Sequence, residues 1–180
     1  MRSLSSRISH LILRISGWKY TGVFPPESKL IIIEAPHTSM WDFVWGWLFA
    51  RHVGIRPKFL IKSKYFFWPL GPVLVFLGAV PVYPARDTRF YSQMIQQIRQ
   101  AESFYLIVTP EGTRKATRRW KTGFYKLSLD AGIPVLLTYI DYGNRTIGLG
   151  PVIRPEGNIQ EDIRRIMSFY KADWAKHPAR

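Results

Sequence analysis

Apolar residues fall into two kinds of run along this chain. Short runs rich in apolar residues, most of them too apolar to leave one face in water, occupy residues 30–33, 58–61, 104–108, 134–140 and 146–153, and they read as the strands of a sheet, 30–33 as a buried one. A shorter pair at 73–76 and 80–82 follows Pro69-Leu70-Gly71-Pro72 and reads as a turn leading into two more buried strands. Between the runs the period changes to three and four. Phe90, Met94, Ile98 and Ala101 mark one amphipathic helix, and Ile159, Ile163, Ile166, Tyr170 and Trp174 mark another. Strands alternating with helices predict an α/β fold: a single domain over 1–180 with a mainly parallel central sheet flanked by helices. No repeat, linker or composition break divides the 180 residues.

The first nineteen residues follow a different pattern. Leu4, Ile8, Leu11, Ile12, Ile15 and Trp18 recur at helical spacing, Arg2, Arg7, Arg14 and Lys19 are interspersed, and no acidic residue occurs. This predicts an N-terminal amphipathic helix over 1–19 that lies on a membrane surface; an ordinary surface helix and an organellar transit peptide share the pattern. Residues 65–83 carry no charge over a length that could cross a bilayer. Pro69, Gly71, Pro72, Gly78 and Pro81 would leave a spanning helix repeatedly broken, so no spanning helix is expected. Phe66, Phe67 and Trp68 either dip into lipid from a loop or pack into the core.

Charge narrows the partners. Lys and Arg number 26 against 12 Asp and Glu, a formal net charge of +14, so the chain favours anionic partners. Aromatics make up 15% of it, which suits a water–lipid boundary. They lie in apolar runs rather than among Lys and Arg, and no helix-turn-helix, zinc-finger or RNP-like pattern occurs, so nucleic acid is not expected. With no cysteine, disulfides, thiolate metal sites and a thiol nucleophile are excluded. The chain also lacks G-x-S-x-G, G-x-x-x-x-G-K, G-x-G-x-x-G and H-E-x-x-H.

Of four histidines, His37 alone directly follows a predicted strand and precedes the polar run Thr38-Ser39-Met40-Trp41-Asp42. In a continuous helix His37 and Asp42 would be about 500° apart in rotation and would diverge by roughly 140°. A turn changes this. With Ser39 capping a helix that starts just after it, His37 lies on the turn and Asp42 in the first helical turn, from where its carboxylate reaches back. An aspartate bonded to one imidazole nitrogen leaves the other free to act as general base on an alcohol. The same residues also fit a capping box in which Asp42 serves only the helix. A second polar turn, Thr109-Pro110-Glu111-Gly112-Thr113-Arg114, closes the strand at 104–108, so both turns can share the carboxyl edge of one sheet, where α/β proteins bind ligands. Gly112 allows close backbone approach and Arg114 offers a fork for phosphate, with Lys115, Arg118, Arg119 and Lys121 close behind. Such a basic run is also common on a merely solvated face.

On these residues the chain resembles the glycerophospholipid (1-acylglycerol-3-phosphate) acyltransferase family. HTSMWD at 37–42 is similar to the family's H-x4-D block, EGTR at 111–114 to its E-G-T-R block, GIPV at 132–135 to a later block, and KSKYFFWPLG at 62–71 to the segment between the first two. Order and spacing agree over residues 29–154. The resemblance implies an enzyme that transfers a fatty acyl group from acyl-CoA or acyl-carrier protein to the hydroxyl of a lysophospholipid, with no metal and no bound cofactor. It makes His37 the base and Asp42 its orienting partner, and it places Glu111, Gly112, Thr113 and Arg114 at the acceptor site. Lys62, Arg86 and Lys115 join these as candidate substrate contacts. A peripheral position on the cytoplasmic face of a membrane, against anionic lipid, follows from the same reading.

One departure bears on the acceptor. The family often carries a Val-Asp-Arg-like ending after its second strand block, whose arginine holds phosphate, whereas Val82 is followed here by Tyr83 and Pro84. Arg86 or Arg89 could substitute from downstream, or the acceptor could be an amino-acid lipid or a glycolipid. A non-catalytic module for anionic lipid is the alternative from another class.

Overall fold

The computed structural model describes residues 3–83, 88–115, 117 and 119–178. Seven strands form one sheet in the order β1-β7-β6-β2-β5-β3-β4, with β1 at Lys19–Thr21, β2 at Lys29–Glu34, β3 at Lys58–Lys62, β4 at Ala79–Val82, β5 at Phe104–Val108, β6 at Val135–Asp141 and β7 at Thr146–Ile153. Every neighbouring pair is parallel except β6 and β7. The expected α/β domain with a mainly parallel sheet is therefore the fold. β2 is central, with Ile33 opposite Val108 on one side and Leu137 on the other.

Alternate residues of β2 build two cores because successive side chains of a strand point to opposite faces. Ile31 and Ile33 pack with Met94 and Ile98 of α4 (Thr88–Gln100), Phe124 and Leu127 of α5 (Gly123–Ala131) and Ile166 of α6 (Ile159–Ser168). Leu30 and Ile32 pack with Phe43, Trp47 and Ala50 of α2 (Met40–His52). On that second face, α1 (Leu4–Ile15) rests against α2, and the Trp47 indole N–H donates to the Leu77 carbonyl of α3 (Leu70–Leu77) at 3.1 Å. The chain leaves β2 through α2 on one face and leaves the adjacent β5 through α5 on the other. Their carboxyl ends thus flank the point where crossover direction reverses, the usual ligand crevice of an open parallel sheet.

The segment before β4 differs from expectation. Residues 73–76 are not a strand but part of α3, and much of that helix is exposed. Pro72 lies in the first turn, where a helix needs no backbone N–H, and Gly78 ends the helix at φ +99°, so the residues read as breakers bracket a helix of eight residues. A Cβ at Gly78 would collide with the Pro57 carbonyl. The N-terminal helix is shorter than 1–19: it ends at Ile15, and Lys19 already belongs to β1. β1 and α5 add two elements that the periodicity did not mark. Among the described residues no helix is long and apolar enough to cross a membrane.

Candidate active site

The site begins with how the chain leaves β2. Ala35–Pro36 is a cis peptide bond, His37 and Thr38 are irregular, and α2 starts at Met40 behind its N-cap Ser39. The Ser39 side chain accepts from the Trp41 N–H at 3.2 Å, and Asp42 Oδ2 accepts from the Ser39 and Thr38 N–H groups, each at 2.9 Å. This is the capping box, and it does not compete with the histidine. The same Oδ2 lies 3.0 Å from His37 Nδ1, a buried nitrogen with no other hydrogen-bond partner. Oδ1 accepts from the Tyr142 hydroxyl at 2.6 Å. Asp42 is 1% exposed. Burial alone would raise its pKa, but the contacts from His37, Tyr142 and Ser39 and the nearby imidazole hold it below the ordinary aspartate value. A carboxylate held in this way faces Nδ1, not Nε2, of the imidazole.

The second turn meets the first. Glu111 Oε2 accepts from the His37 backbone N–H at 2.8 Å, which fixes the histidine to the end of β5 as Asp42 fixes it to α2. Burial keeps the Glu111 carboxyl above its usual pKa although the His37 N–H works against it. Gly112 follows at φ +62°. Thr113, Arg114 and Lys115 are exposed on the same turn, with the Lys115 N–H donating to Thr113 Oγ1 at 3.2 Å. Lys62 is exposed at the carboxyl end of β3, on the same edge of the sheet. Arg86 lies outside the described residues, and Arg89 stands in the first turn of α4.

Two carboxyl-edge residues carry no motif. Tyr142 follows β6 and is braced by the C-terminal segment, its N–H donating to the Trp174 carbonyl at 3.0 Å. Only a fold that brings residues 42 and 142 together reveals it. Glu34 ends β2 beneath α2, next to an internal cavity of about 20 Å³ lined mainly by apolar side chains, among them Phe24, Phe49, Ile107 and Ile140. A Cβ on Gly46 would collide with Glu34 Oε2, so the carboxyl occupies space that glycine leaves open. Burial, with the Asp42 charge adding to it, raises the Glu34 pKa well above the glutamate value. Among the described residues no group of three or more histidines and carboxylates could hold a metal.

The Asp-held histidine and the E-G-T-R turn thus meet at the carboxyl edge of the parallel sheet. The family model Acyltransferase matches residues 19–140, more than half of the chain. The chain belongs to that family, and it is an acyltransferase. Among solved structures, the 1-acyl-sn-glycerophosphate (LPA) acyltransferase PlsC from Thermotoga maritima superposes with a TM-score of 0.62, covering 96% of this chain and 80% of that one at 17% identity. At that identity the likeness is one of fold. No curated protein sequence matches the chain.

The raised Glu34 pKa has a consequence for stability. Folded protein keeps a proton that the unfolded chain releases, so stability is fullest below the ordinary glutamate pKa and declines as pH rises above it towards the folded value. Glu34→Gln removes that decline. The melting temperature of the variant should gain on wild type as pH is raised from about 4.5 towards neutrality; parallel profiles would mean that Glu34 ionises normally.

Proposed function

We propose that this acyltransferase moves a fatty acyl group from acyl-CoA or acyl-carrier protein to the hydroxyl of a lysophospholipid such as 1-acylglycerol-3-phosphate, with His37 as general base. The observation that carries this is the His37 Nδ1–Asp42 Oδ2 contact at 3.0 Å beside the Glu111 turn. Asp42 fixes the tautomer so that Nε2 can take the acceptor proton as its oxygen attacks the thioester carbonyl. As the tetrahedral intermediate collapses, the same proton passes to the departing thiolate, and the base is restored. The acyl group goes directly from donor to acceptor, so no cofactor or covalent enzyme intermediate is needed. The PlsC likeness supports a glycerophosphate acceptor. The absent arginine at Tyr83-Pro84 supports keeping amino-acid lipids and glycolipids among the acceptors to be tried.

The reading includes a peripheral position on the cytoplasmic face of an anionic membrane, supported by the outward-facing apolar residues of α1. Only Leu13 of its aliphatic side chains is buried, and it faces the protein together with the small polar residues Ser6 and Ser9. Ser6 and Ser9 are buried, Ser6 Oγ donates to the His52 carbonyl at 2.7 Å, an Arg51 guanidinium N–H donates to Ser5 Oγ at 2.7 Å, and His10 stacks on His52 at 4.9 Å. Leu4 and Ile15 are 75% and 77% exposed, and Ile8, Leu11 and Ile12 also face outward between the exposed Arg7 and Arg14. On α3 and the turn before it, Phe76 and Trp68 are 87% and 85% exposed. An apolar stripe with basic flanks is the composition of an interfacial helix.

Purified protein should be given a panel of lysolipids with labelled acyl-CoA and acyl-carrier protein. His37→Ala should lower turnover on the order of 10²–10⁴-fold, and Asp42→Asn should lower it per folded molecule as well. Near-normal turnover by His37→Ala would overturn the general-base reading; loss of stability alone in Asp42→Asn would reduce Asp42 to a helix cap. Ile8→Glu with Leu11→Glu should release the protein from anionic vesicles while leaving it folded, and unchanged sedimentation with vesicles would exclude α1 as the anchor.

A further inference from the structure

Lys121 lies outside the E-G-T-R block, yet the fold folds it back onto that turn. Its backbone N–H donates to the Pro110 carbonyl at 2.8 Å, which anchors the residue immediately before the first turn of α5 against residue 110 of the other turn. Its side chain runs over Gly112. A Cβ placed on Gly112 would sit 2.7 Å from both Cε and Nζ of Lys121 and 3.1 Å from Cδ, so the ammonium occupies the room that this glycine leaves. Gly112 therefore has two reasons to be glycine: its φ of +62° and the lysine stem across its open side. The neighbouring Glu111 is the residue that holds the His37 N–H at 2.8 Å.

Among the described residues no carboxylate forms an ion pair with this ammonium. The ion pairs among the described residues are His37–Asp42, Arg154–Glu27 and Arg165–Glu156, and none includes Lys121. Glu111, the nearest candidate by sequence, spends an oxygen on the His37 backbone and has its pKa pushed upward by burial. Among the described cations proposed for the acceptor, Lys62 ends a different strand, Arg89 stands on α4, and Arg114 and Lys115 belong to the turn itself.

We propose that Lys121 is the phosphate-holding residue of the acceptor site, taking the part of the arginine absent at Tyr83-Pro84 and selecting a glycerol-phosphate acceptor over an uncharged one. This deepens the proposed function and rests on it. An ammonium is a compact charge with three donors, suited to a phosphate monoester, whose oxygens accept from several directions. In 1-acylglycerol-3-phosphate the phosphate is borne on the carbon next to the one that carries the reacting hydroxyl. With its ammonium against Gly112, the residue next to the Glu111 that holds the His37 N–H, Lys121 would hold the phosphate while the hydroxyl meets Nε2.

Two measurements test this. The first is binding of 1-oleoylglycerol-3-phosphate, in detergent below its own micelle concentration, to His37→Ala protein with and without Lys121→Met. Methionine keeps the stem and removes the charge, so affinity should fall roughly 10- to 100-fold, as for loss of a charged hydrogen bond. Lys121→Arg should recover most of it, and Lys126→Met, the same charge loss on the exposed side of α5, should change nothing. Equal affinity with and without Lys121→Met, a matching loss in Lys126→Met, or no binding to either protein would overturn the proposal. The second is turnover in the His37 background. Lys121→Met should raise KM for 1-oleoylglycerol-3-phosphate by a similar factor with kcat kept within a few-fold, and should leave KM for 1-oleoylglycerol and for the acyl donor unchanged. Equal effects on both acceptors would overturn the phosphate role while leaving the His37 assignment intact; turnover that survives His37→Ala would instead strike the general-base reading, and the binding measurement would still decide Lys121.

Discussion

The Asp42 carboxylate is the group on which the arrangement of this protein's edge depends. It sits in the first turn of α2, almost wholly out of water, and it is tolerable there only because donors from several parts of the chain converge on it. Thr38 and Ser39 N–H groups come from the preceding turn, the Tyr142 hydroxyl from the end of β6, and the helix N-terminus adds its own positive end. His37 Nδ1 completes the set. The carboxylate that starts the helix and the carboxylate that orients the histidine are one group. Removing it would therefore unfasten α2, the β2 turn and β6 together, which ties the chemistry of the edge to the integrity of the sheet.

Glu34 shows the complementary use of burial. Asp42 is buried with donors that hold its pKa below the ordinary aspartate value; Glu34, eight residues earlier in sequence, is buried against an apolar cavity, and its pKa is raised well above the ordinary glutamate value. Gly46 is part of that environment, since any side chain there would displace Glu34.

Local signals carried much of the fold and the centre of the site. Apolar runs marked β2, β5 and β6 because central parallel strands are buried on both faces. The His37–Asp42 turn was legible because capping has a strict residue order, and the meeting of residues 37 and 111 followed from two polar turns placed after two buried strands. Three things were hidden. Pro72 and Gly78 read as breakers of a spanning helix that left a turn and a strand pair, although proline in the first turn and glycine after the last are how a short helix is framed. β1 spans three exposed residues and has no pattern to show. Tyr142 and Glu34 matter only through contacts across the fold, and no spacing rule links positions 34, 42 and 142.

The same geometry relates the site to the proposed membrane face. α1, α2 and α3 share one side of the sheet, and α2 begins at the site itself. Met40 and Trp41, the first residues of that helix, are exposed beside His37, and the Lys176 ammonium lies 5.6 Å from the Trp41 ring and 5.7 Å from that of Tyr142. The apolar surface thus extends to the start of α2 and is edged there by a cation. An amphiphilic acceptor has the same two parts in the same order: a chain that prefers an apolar surface and a charged head next to the reacting hydroxyl. On the proposed membrane reading, lipid lying along α1 to α3 would bring its head to the start of α2 without leaving the interface, and the exposed aromatic and aliphatic surface of that side would meet the acyl chains, whereas the opposite side is buried under α4, α5 and α6.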